Sequence, residues 1–390
     1  MENFVFETPT KVYFGEGQIK QLPAALRPYG TKVLLVYGGG SIKKNGLYDQ
    51  IYQVLQDFEI VELSGVEPNP RIGTVQKGVD LCRSEKVEVV LAVGGGSTLD
   101  CAKAICAGVF YEGDPWDFTK DSSLITEALP LATILTLAAT GSEMNAGGVL
   151  SNPATQEKLG FGNKILIPKV SILDPTYTYS VSKYQTAAGS ADILSHLFEQ
   201  YFDKTPGTQI QDHLAEALMK TVIELLPVAL ETPDSYEARS NLMWASSWAL
   251  NGLIGRGKKG AWSNHAMEHE LSAYYDITHG VGLAILTPRW MKHVLNEETL
   301  PYFVRFGKNV WGLTGEDRDV ALGGIQKLYE FFKACDIPMT LPEVGIDASK
   351  LDEMAQQAVK HSAIATKAFV PLEKADVLAI FEASMEEMTF

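Results

Sequence analysis

Two pairs of side chains able to bind a metal lie between residues 190 and 270, and the members of each pair are four residues apart. Asp192 and His196 form one pair, His265 and His269 form the other, and His279 follows fourteen residues after His265. Side chains at i and i+4 leave the same face of a helix, which lets both reach a single ion. Carboxylate and imidazole suit Fe, Zn, Co or Ni, and none of the four cysteines falls in this region. The pattern favours a divalent metal site, although each histidine taken alone also fits a packing or surface role.

Turns rich in glycine and hydroxyl groups in the first half are suited to binding phosphate. The turn Gly94-Gly95-Gly96-Ser97 follows an apolar run and opens a helical pattern. Glycine lets the backbone approach an anion, and the amides at a helix start point at it. A second turn, Gly38-Gly39-Gly40-Ser41, precedes a pair of lysines, and hydroxyl groups recur from Thr136 to Glu143. Two glycine turns fit one extended, multiply charged ligand, and ordinary tight turns remain the alternative because neither has the GxGxxG pattern.

The secondary-structure elements that must position these turns alternate between strands and helices. Three apolar runs rich in β-branched residues are typical of buried parallel strands, namely Lys32–Tyr37, Val87–Val93 and Ala132–Leu137. Between the first two of these runs, apolar residues recur at helical spacing in two segments, Gly46–Phe58 and Arg71–Ser84. The alternation predicts an open α/β domain with a parallel sheet, which binds ligands at the carboxyl ends of its strands.

The character of the chain changes after Pro175, where helical periodicity replaces strand-like alternation. We predict two domains, an α/β dinucleotide-binding domain over residues 1–185 and an all-helical metal-binding domain over residues 186–390. A chain of 390 residues is long enough for both. The predicted helices in the second domain include Thr186–Tyr201, Ile210–Leu230, Ser235–Leu253 and Trp262–Ala273.

The amino-acid composition and net charge of the chain limit the kinds of molecule that it is expected to bind. The chain has 46% hydrophobic and 21% charged residues, with a formal net charge of -15. Because there is no basic surplus to replace phosphate counterions, we expect neither a nucleic-acid nor a membrane partner. The four cysteines lack CxxC spacing and are expected to be reduced packing residues. The beginning, MENFVFETPT, lacks the basic start and long apolar run of a signal peptide, so a cytoplasmic location is the expectation.

Several of these segments together resemble the iron-containing alcohol dehydrogenase family. They are GGGSTLDCAKA at 94–104, TGSE at 140–143, and the two histidine-bearing helices with His279-Gly280. The segments 38–46, 199–201 and 243–255 resemble its butanol dehydrogenase and broad-range aldehyde reductase branch. The likeness runs from about Phe4 to beyond residue 370, and it implies a dehydroquinate synthase-like fold with an all-α C-terminal domain.

The resemblance implies an enzyme that transfers hydride between NAD(P)(H) and a primary alcohol or aldehyde, such as butanol or butyraldehyde. Asp192, His196, His265 and His279 match the family's ligands of one divalent ion, Fe2+ or Zn2+. One carboxylate against such an ion leaves positive charge where an oxyanion develops. His269 matches a histidine near the metal but outside its ligand set, and both a proton-donating and a packing role stay open for it. The family also implies a homodimer.

The resemblance likewise assigns residues to the dinucleotide. Gly94–Ser97 match the residues that hold the pyrophosphate, and Thr136 and Thr140 match positions alongside it. Asp100 and Lys158 match positions lining the cleft, so we assign both to the cofactor and Asp100 also to catalysis. Many members have proline-threonine-threonine-alanine-glycine before TGSE, where this chain has leucine-threonine-leucine-alanine-alanine, so their nicotinamide contacts are not carried over.

The turn after the second strand predicts the coenzyme. An acidic residue there hydrogen-bonds the ribose of NAD and would repel a 2′-phosphate. Here Gly38, Gly39, Gly40 and Ser41 contain no carboxylate, and Lys43 or Lys44 could supply charge. We therefore predict a preference for NADP(H), with a turn that accepts both NADP(H) and NAD(H) as the alternative.

Three other functions are alternatives to an alcohol dehydrogenase. A lyase of the dehydroquinate synthase type would need several Lys and Arg residues beside the metal, and the region 185–285 contains six, none of them next to a predicted ligand. A glycerol dehydrogenase-like metal enzyme and a non-catalytic nucleotide-binding protein are further alternatives. The complete set of four predicted ligands argues against the last of these.

Overall fold

The computed structural model describes residues 1–390 and contains two sheets. Across the larger sheet the strands run in the order β1, β8, β5, β4, β2, β3, and every neighbouring pair is parallel. The strands of this sheet are β1 (Lys11–Phe14), β2 (Lys32–Tyr37), β3 (Glu59–Leu63), β4 (Val89–Gly94), β5 (Leu131–Leu135) and β8 (Val170–Leu173). The strands β6 (Gly147–Asn152) and β7 (Glu157–Gly162) form an antiparallel hairpin. The predicted parallel sheet is confirmed.

Helices lie in the connections between most of these strands and make up most of the chain after β8. Before β8 they are α1 (Leu22–Leu26), α2 (Ser41–Lys44), α3 (Leu47–Val54), α4 (Ile72–Glu85) and α5 (Gly96–Gly108). After it they are α6 (Lys183–Tyr201), α7 (Gln209–Glu231), α8 (Tyr236–Leu250), α9 (Ser263–Tyr275), α10 (His279–Val294), α11 (Leu300–Asn309), α12 (Asp317–Ala334), α13 (Leu351–His361), α14 (Ile364–Lys367) and α15 (Lys374–Ala383). The predicted helical C-terminal part is confirmed.

Both faces of the central strands of the larger sheet are buried, which explains their continuous apolar runs. On β2, Val33 and Leu35 pack into one hydrophobic core, whereas Leu34 and Val36 pack into another on the opposite face. Successive side chains of a strand point to opposite faces, so a strand covered on both sides needs apolar residues at every position. The predicted strand 132–137 ends at Leu135 because its partner strand β4 ends at Gly94, which pairs with Leu135.

The chain forms two compact units. The sheet unit comprises residues 7–181 and 232–251, and the helical unit comprises residues 1–6, 182–231 and 252–390. The change of unit at Val181 and Ser182 lies close to the predicted boundary at 185. Residues 1–6 and the segment 232–251, which contains α8, belong to the unit opposite to the one predicted for them.

A buried lysine ties α5 to the segment after β5 within the sheet unit. Lys103 is fully buried, and its Nζ donates hydrogen bonds to Ser142 Oγ at 2.8 Å, Asn145 Oδ1 at 2.8 Å and Gly147 O at 2.6 Å. Burial lowers the pKa of Lys103 to about 8, and the nearby carboxylates of Asp100 and Glu143 oppose this effect. Because the three acceptors match the three donors of an ammonium group, this buried charge is satisfied and fixes α5 against residues 142–147.

Replacement of Lys103 by methionine tests this tether. Lys103→Met removes the ammonium but keeps a side chain of similar length, which leaves buried acceptors and carboxylates uncompensated. We expect the free energy of unfolding to fall by about 3–5 kcal/mol, measured by urea denaturation. Lys77 is exposed on α4, so the control Lys77→Met should change it by no more than about 0.5 kcal/mol. Equal stability of the two variants would contradict the tether.

Candidate active site

Three histidine nitrogens face one carboxylate oxygen inside the helical unit. Asp192 Oδ1 lies 3.4 Å from His196 Nε2, 3.8 Å from His265 Nε2 and 3.8 Å from His279 Nε2. Asp192 Oδ1 and His265 Nε2 are buried and make no hydrogen bond within the chain. A buried polar atom without a partner is costly, and a cation among these atoms would relieve that cost. The structure therefore brings the four predicted ligands together.

The donor set and its spacing fit a divalent metal. Ligand atoms about 2.1 Å from a tetrahedral ion lie about 3.4 Å from one another. The distances of 3.4–3.8 Å around Asp192 Oδ1 are close to that value. Three imidazole nitrogens and one carboxylate oxygen are ligands that suit Fe2+ or Zn2+. The side chain of His279 is 25% exposed, so the cluster is partly open to solvent at this residue.

Three helices position the cluster. Asp192 and His196 lie one turn apart on α6, His265 lies near the start of α9, and His279 is the first residue of α10. A Cβ atom at Gly280 would overlap the carbonyl oxygen of Ala188, which lies on α6 one turn before Asp192. Glycine after His279 therefore lets α10 begin directly against α6, beside the carboxylate.

Electrostatics favour an ionised carboxylate in the cluster. Burial raises the pKa of Asp192, but His196, His265 and His279 outweigh it and bring this pKa well below its ordinary value. Burial lowers the pKa of His196 to about 3, against the opposing effect of Asp192. Burial also disfavours the charged form of His265, yet Asp192 and Glu199 together raise its pKa to about 9. The cluster thus attracts positive charge, and a metal would compete with a proton for His265.

Two buried glutamates that sequence reasoning missed face the second ring nitrogens of two predicted ligands, His265 and His279. Glu199 Oε1 lies 3.3 Å from His265 Nδ1, and Glu268 Oε2 contacts His279 Nδ1. Weak signals for them exist in the sequence. Glu199 follows Asp192 by seven residues and Glu268 follows His265 by three, which are spacings that return to the same helix face.

His269 lies beside the cluster, as the resemblance implied. Its ring is half-buried, with its centroid 6.3 Å from that of His265 and 5.7 Å from that of His279. Proton donation and packing are both compatible with this position.

In the sheet unit, the three predicted turns follow neighbouring strands at the same edge. Tyr37 at the end of β2 pairs with Val93 on β4, and Gly94 at the end of β4 pairs with Leu135 at the end of β5. The backbone N–H of Thr136 donates to Gly94 O at 3.0 Å. The turns that begin at residues 38, 94 and 136 therefore lie side by side at the carboxyl edge, where parallel sheets bind ligands.

The backbone of these turns is suited to an anion. Gly40 has φ +96°, a left-handed conformation that glycine adopts without strain, and a Cβ atom at Gly39 or Gly40 would meet nothing within 4 Å. Gly95 precedes α5 and has no side chain to cap its first amides. A Cβ atom at Gly96 would overlap the side chain of Thr140, so this glycine is needed for packing. Ser97 Oγ donates a hydrogen bond to Pro68 O.

Asp100 and Lys158, the other two predicted cofactor residues, lie near the hairpin of β6 and β7. Asp100 Oδ1 accepts a hydrogen bond from Ser142 Oγ at 2.6 Å, and its Oδ2 accepts one from Val149 N at 2.9 Å. These bonds favour a role in positioning α5 against the hairpin, and a catalytic role for Asp100 stays a prediction. Lys158 is buried on β7, opposite Ser151, and its contact with the cofactor also stays a prediction.

Comparison with known proteins identifies the family. The family model of iron-containing alcohol dehydrogenase matches residues 9–175, and that of the Fe-containing alcohol dehydrogenase family, C-terminal, matches residues 186–385. The chain belongs to the iron-containing alcohol dehydrogenase family. A relative within it, NADH-dependent butanol dehydrogenase A of Clostridium acetobutylicum, is 54% identical over 388 residues, covering 98% of this chain and 100% of that protein.

Two further members of the family bear on the branch. NADPH-dependent aldehyde reductase YqhD of Escherichia coli is 38% identical over 365 residues, covering 93% of this chain and 94% of that protein. The crystal structure of NADH-dependent butanol dehydrogenase A from Thermotoga maritima has a TM-score of 0.95 and 42% identity, covering 99% of each chain. The resemblance to the butanol dehydrogenase and aldehyde reductase branch is confirmed.

This chain is therefore an NAD(P)-dependent alcohol and aldehyde oxidoreductase of the iron-containing alcohol dehydrogenase family. The lyase, glycerol dehydrogenase-like and non-catalytic alternatives are not favoured. None of its helices is both long enough and apolar enough to cross a membrane.

Substitution of Gly280 tests how the cluster is positioned. In Gly280→Ala the new methyl group overlaps Ala188 O and pushes the start of α10 away from α6, so His279 should move away from Asp192. We expect a loss of about 1–3 kcal/mol in unfolding free energy together with reduced bound metal.

The matched control is Gly73→Ala, because Gly73 lies on helix α4, is exposed, and has nothing within 4 Å of the position of a Cβ atom. It should lose neither stability nor metal. Wild-type metal content in Gly280→Ala would argue against the close approach of α10 to α6.

Proposed function

We propose that this chain interconverts primary alcohols and aldehydes, such as butanol and butyraldehyde, using a divalent ion bound by Asp192, His196, His265 and His279. The observation that carries the proposal is the convergence of three Nε2 atoms on Asp192 Oδ1, at 3.4–3.8 Å. The names of the relatives, butanol dehydrogenase and aldehyde reductase, support this substrate class.

In this proposal the residues of the chain bind the ion, orient the substrate and supply a proton to the substrate oxygen. When bound, the divalent ion supplies Lewis-acid polarisation of the substrate oxygen and the nicotinamide supplies or accepts hydride. Asp192 provides the negative charge that retains the ion, and the partly exposed side chain of His279 marks the side on which substrate approaches. His269 is the proposed carrier of a proton to the substrate oxygen, directly or through water, because its imidazole lies next to His265 and His279.

Removal of one ligand tests the site. His279→Ala should lower bound metal, measured by elemental analysis, and abolish butyraldehyde reduction, followed by the absorbance of the reduced nicotinamide. Reconstitution with Fe2+ and Zn2+ in parallel identifies the metal that supports turnover.

His361→Ala is the matched control for this test, because His361 is also a half-buried histidine whose Nδ1 faces a buried carboxylate, at 2.9 Å from Glu270, but it is not a proposed ligand. It should keep both metal and activity. Retention of both by His279→Ala would refute the ligand assignment.

We also propose a preference for NADP(H). The turn from Gly38 to Ser41 contains no carboxylate, and Lys43 lies two residues after Ser41 on α2. Lys43 Nζ lies 4.4 Å from the centre of the Tyr48 ring and 4.0 Å from Glu62 Oε2.

The oxygens of Glu62 are already occupied. They accept hydrogen bonds from the hydroxyls of Tyr37 at 2.6 Å, Tyr48 at 2.6 Å and Tyr52 at 2.5 Å. Glu62 is thus held by tyrosines rather than offered to a ribose hydroxyl. The butanol dehydrogenase relative is named for NADH and the aldehyde reductase relative for NADPH, so both coenzymes occur among the relatives of this chain.

An acidic residue in this turn tests the coenzyme preference. Gly38 tolerates a side chain, since a Cβ atom there would lie no closer than 3.4 Å to Val66 O. Gly38→Asp should lower kcat/KM for NADPH by roughly tenfold, equivalent to about 1.4 kcal/mol, because a carboxylate would repel the 2′-phosphate. Gly38→Asn, of equal size but uncharged, should change it much less. A wild-type kcat/KM that is higher for NADH than for NADPH would overturn the proposal.

A homodimer and a cytoplasmic location complete the proposal. Both rest on the family resemblance and the composition of the chain. Analytical ultracentrifugation and fractionation of expressing cells test them.

A further inference from the structure

Each ligand histidine has a second ring nitrogen, and for two of the three it faces a buried carboxylate. We propose that Glu199 and Glu268 are positioning residues that hold His265 and His279 with Nε2 directed at the metal and that strengthen metal binding. This inference rests on the proposed ligand set.

Glu199 fixes the first turn of α9. Its side chain is 2% exposed, and its Oε1 lies 3.3 Å from His265 Nδ1 and accepts a hydrogen bond from His265 N at 3.0 Å. Its Oε2 accepts a hydrogen bond from Ser263 N at 2.9 Å. The carboxylate therefore binds both the backbone and the ring of the same ligand residue, which leaves the imidazole little freedom to rotate.

Glu268 links α9 to α10. Its side chain is fully buried and contacts His279 Nδ1, and Ser272 Oγ donates a hydrogen bond to its other oxygen. Because Glu268 lies one turn after His265 on α9, a single helix carries one ligand and the carboxylate that orients another.

These contacts decide which nitrogen carries the proton. A carboxylate beside Nδ1 favours the tautomer with hydrogen on Nδ1, which leaves the Nε2 lone pair toward Asp192. The negative charge also makes the imidazole a more basic ligand, which tightens the bond to a cation. Three carboxylates then surround the site, one more negative charge than a divalent ion carries.

His196, the third proposed ligand, has no carboxylate facing its second ring nitrogen and is oriented in a different way. Its Nδ1 is buried and makes no hydrogen bond within the chain. Its ring stacks on that of His265 at a centroid distance of 4.9 Å and packs against Trp262 at 5.6 Å. Packing against neighbouring rings therefore orients His196, whereas carboxylates orient His265 and His279.

The chain supplies a matched control on the same helix. Glu270 is also buried on α9, and its Oε1 lies 2.9 Å from the Nδ1 of His361. His361 is not a proposed ligand, so Glu270→Gln makes the same chemical change to a carboxylate–histidine pair outside the metal site.

The experiment compares metal affinity in the full-length chain. Wild type, Glu199→Gln, Glu268→Gln and Glu270→Gln are stripped of metal, and the dissociation constant for Zn2+ is measured by chelator competition. Glutamine keeps an oxygen that accepts hydrogen bonds but removes the charge. We expect Glu199→Gln and Glu268→Gln each to bind Zn2+ about 10–100-fold more weakly. Glu270→Gln should bind it as wild type does.

A structural role alone would give a different result. If Glu199 merely caps α9, Glu199→Gln would change the melting temperature of the metal-free protein without changing Zn2+ affinity, and the proposal would be overturned. Should Glu268→Gln not fold, Glu199→Gln decides by itself, because each carboxylate is expected to act independently.

Asp192→Asn separates failure of this inference from failure of the ligand set. Loss of Zn2+ binding in Asp192→Asn, with wild-type affinity in both glutamine variants, would overturn the positioning role and leave the ligand set standing. Wild-type affinity in Asp192→Asn would overturn both. Weakened binding in all three variants, with Glu270→Gln unchanged, is the result expected.

Discussion

The buried carboxylate of Asp192 is the group on which the arrangement of the helical unit depends. A charge this deep costs several kcal/mol unless opposite charge surrounds it closely. Three helices bring imidazole rings to it, since α6 carries His196, α9 carries His265 and α10 begins at His279. Because the pKa of His196 is near 3, that ring is neutral, and the balancing charge comes from His265, whose pKa is raised to about 9, or from a bound cation. The helices α9 and α10 must therefore approach α6 closely, and Gly280 is the residue that permits this for α10. Packing in this unit thus follows from the need to balance one charge.

The sheet unit meets a different requirement, which is to place three turns side by side at one edge. Strands β2, β4 and β5 are neighbours and end together, so the turns that follow them are adjacent although about fifty residues separate each from the next. The tether at Lys103 and the hydrogen bonds of Asp100 then hold α5, whose first turn follows Gly95, against residues 142–149. Buried polar groups here stabilise a backbone shape, whereas in the helical unit they converge on a single point.

The sequence pattern predicts which residues are buried, but it does not predict which other element of the fold covers them. The bounds of β2 were predicted correctly, because a strand buried on both faces is apolar throughout and ends where glycine begins. The helix α8 was also predicted, but helical periodicity gives a buried face without saying which core covers it, so its place in the sheet unit was not foreseen. The pair Asp192 and His196 was found from spacing alone, whereas the choice of His265 over His269 as a ligand needed the family resemblance.

Glu199 and Glu268 were missed for a physical reason. Their roles depend on which nitrogen of a histidine each carboxylate faces, and this is set by side-chain rotamers and by the distance between helices, neither of which is written in residue spacing. Surface helices also carry glutamate at the same intervals, so the spacing alone is not diagnostic.

The two glutamates change the expected charge of the site. With Asp192 as the only carboxylate, a divalent ion would leave positive charge to polarise a substrate oxygen strongly. With Glu199 and Glu268 included, the surrounding carboxylates exceed the charge of the ion, which favours retention of the ion over maximal polarisation. Fe2+ stands low in the general order of affinity of divalent metals for nitrogen and oxygen ligands. A site that used Fe2+ would therefore gain most from histidines that are held in place and made more basic by buried carboxylates.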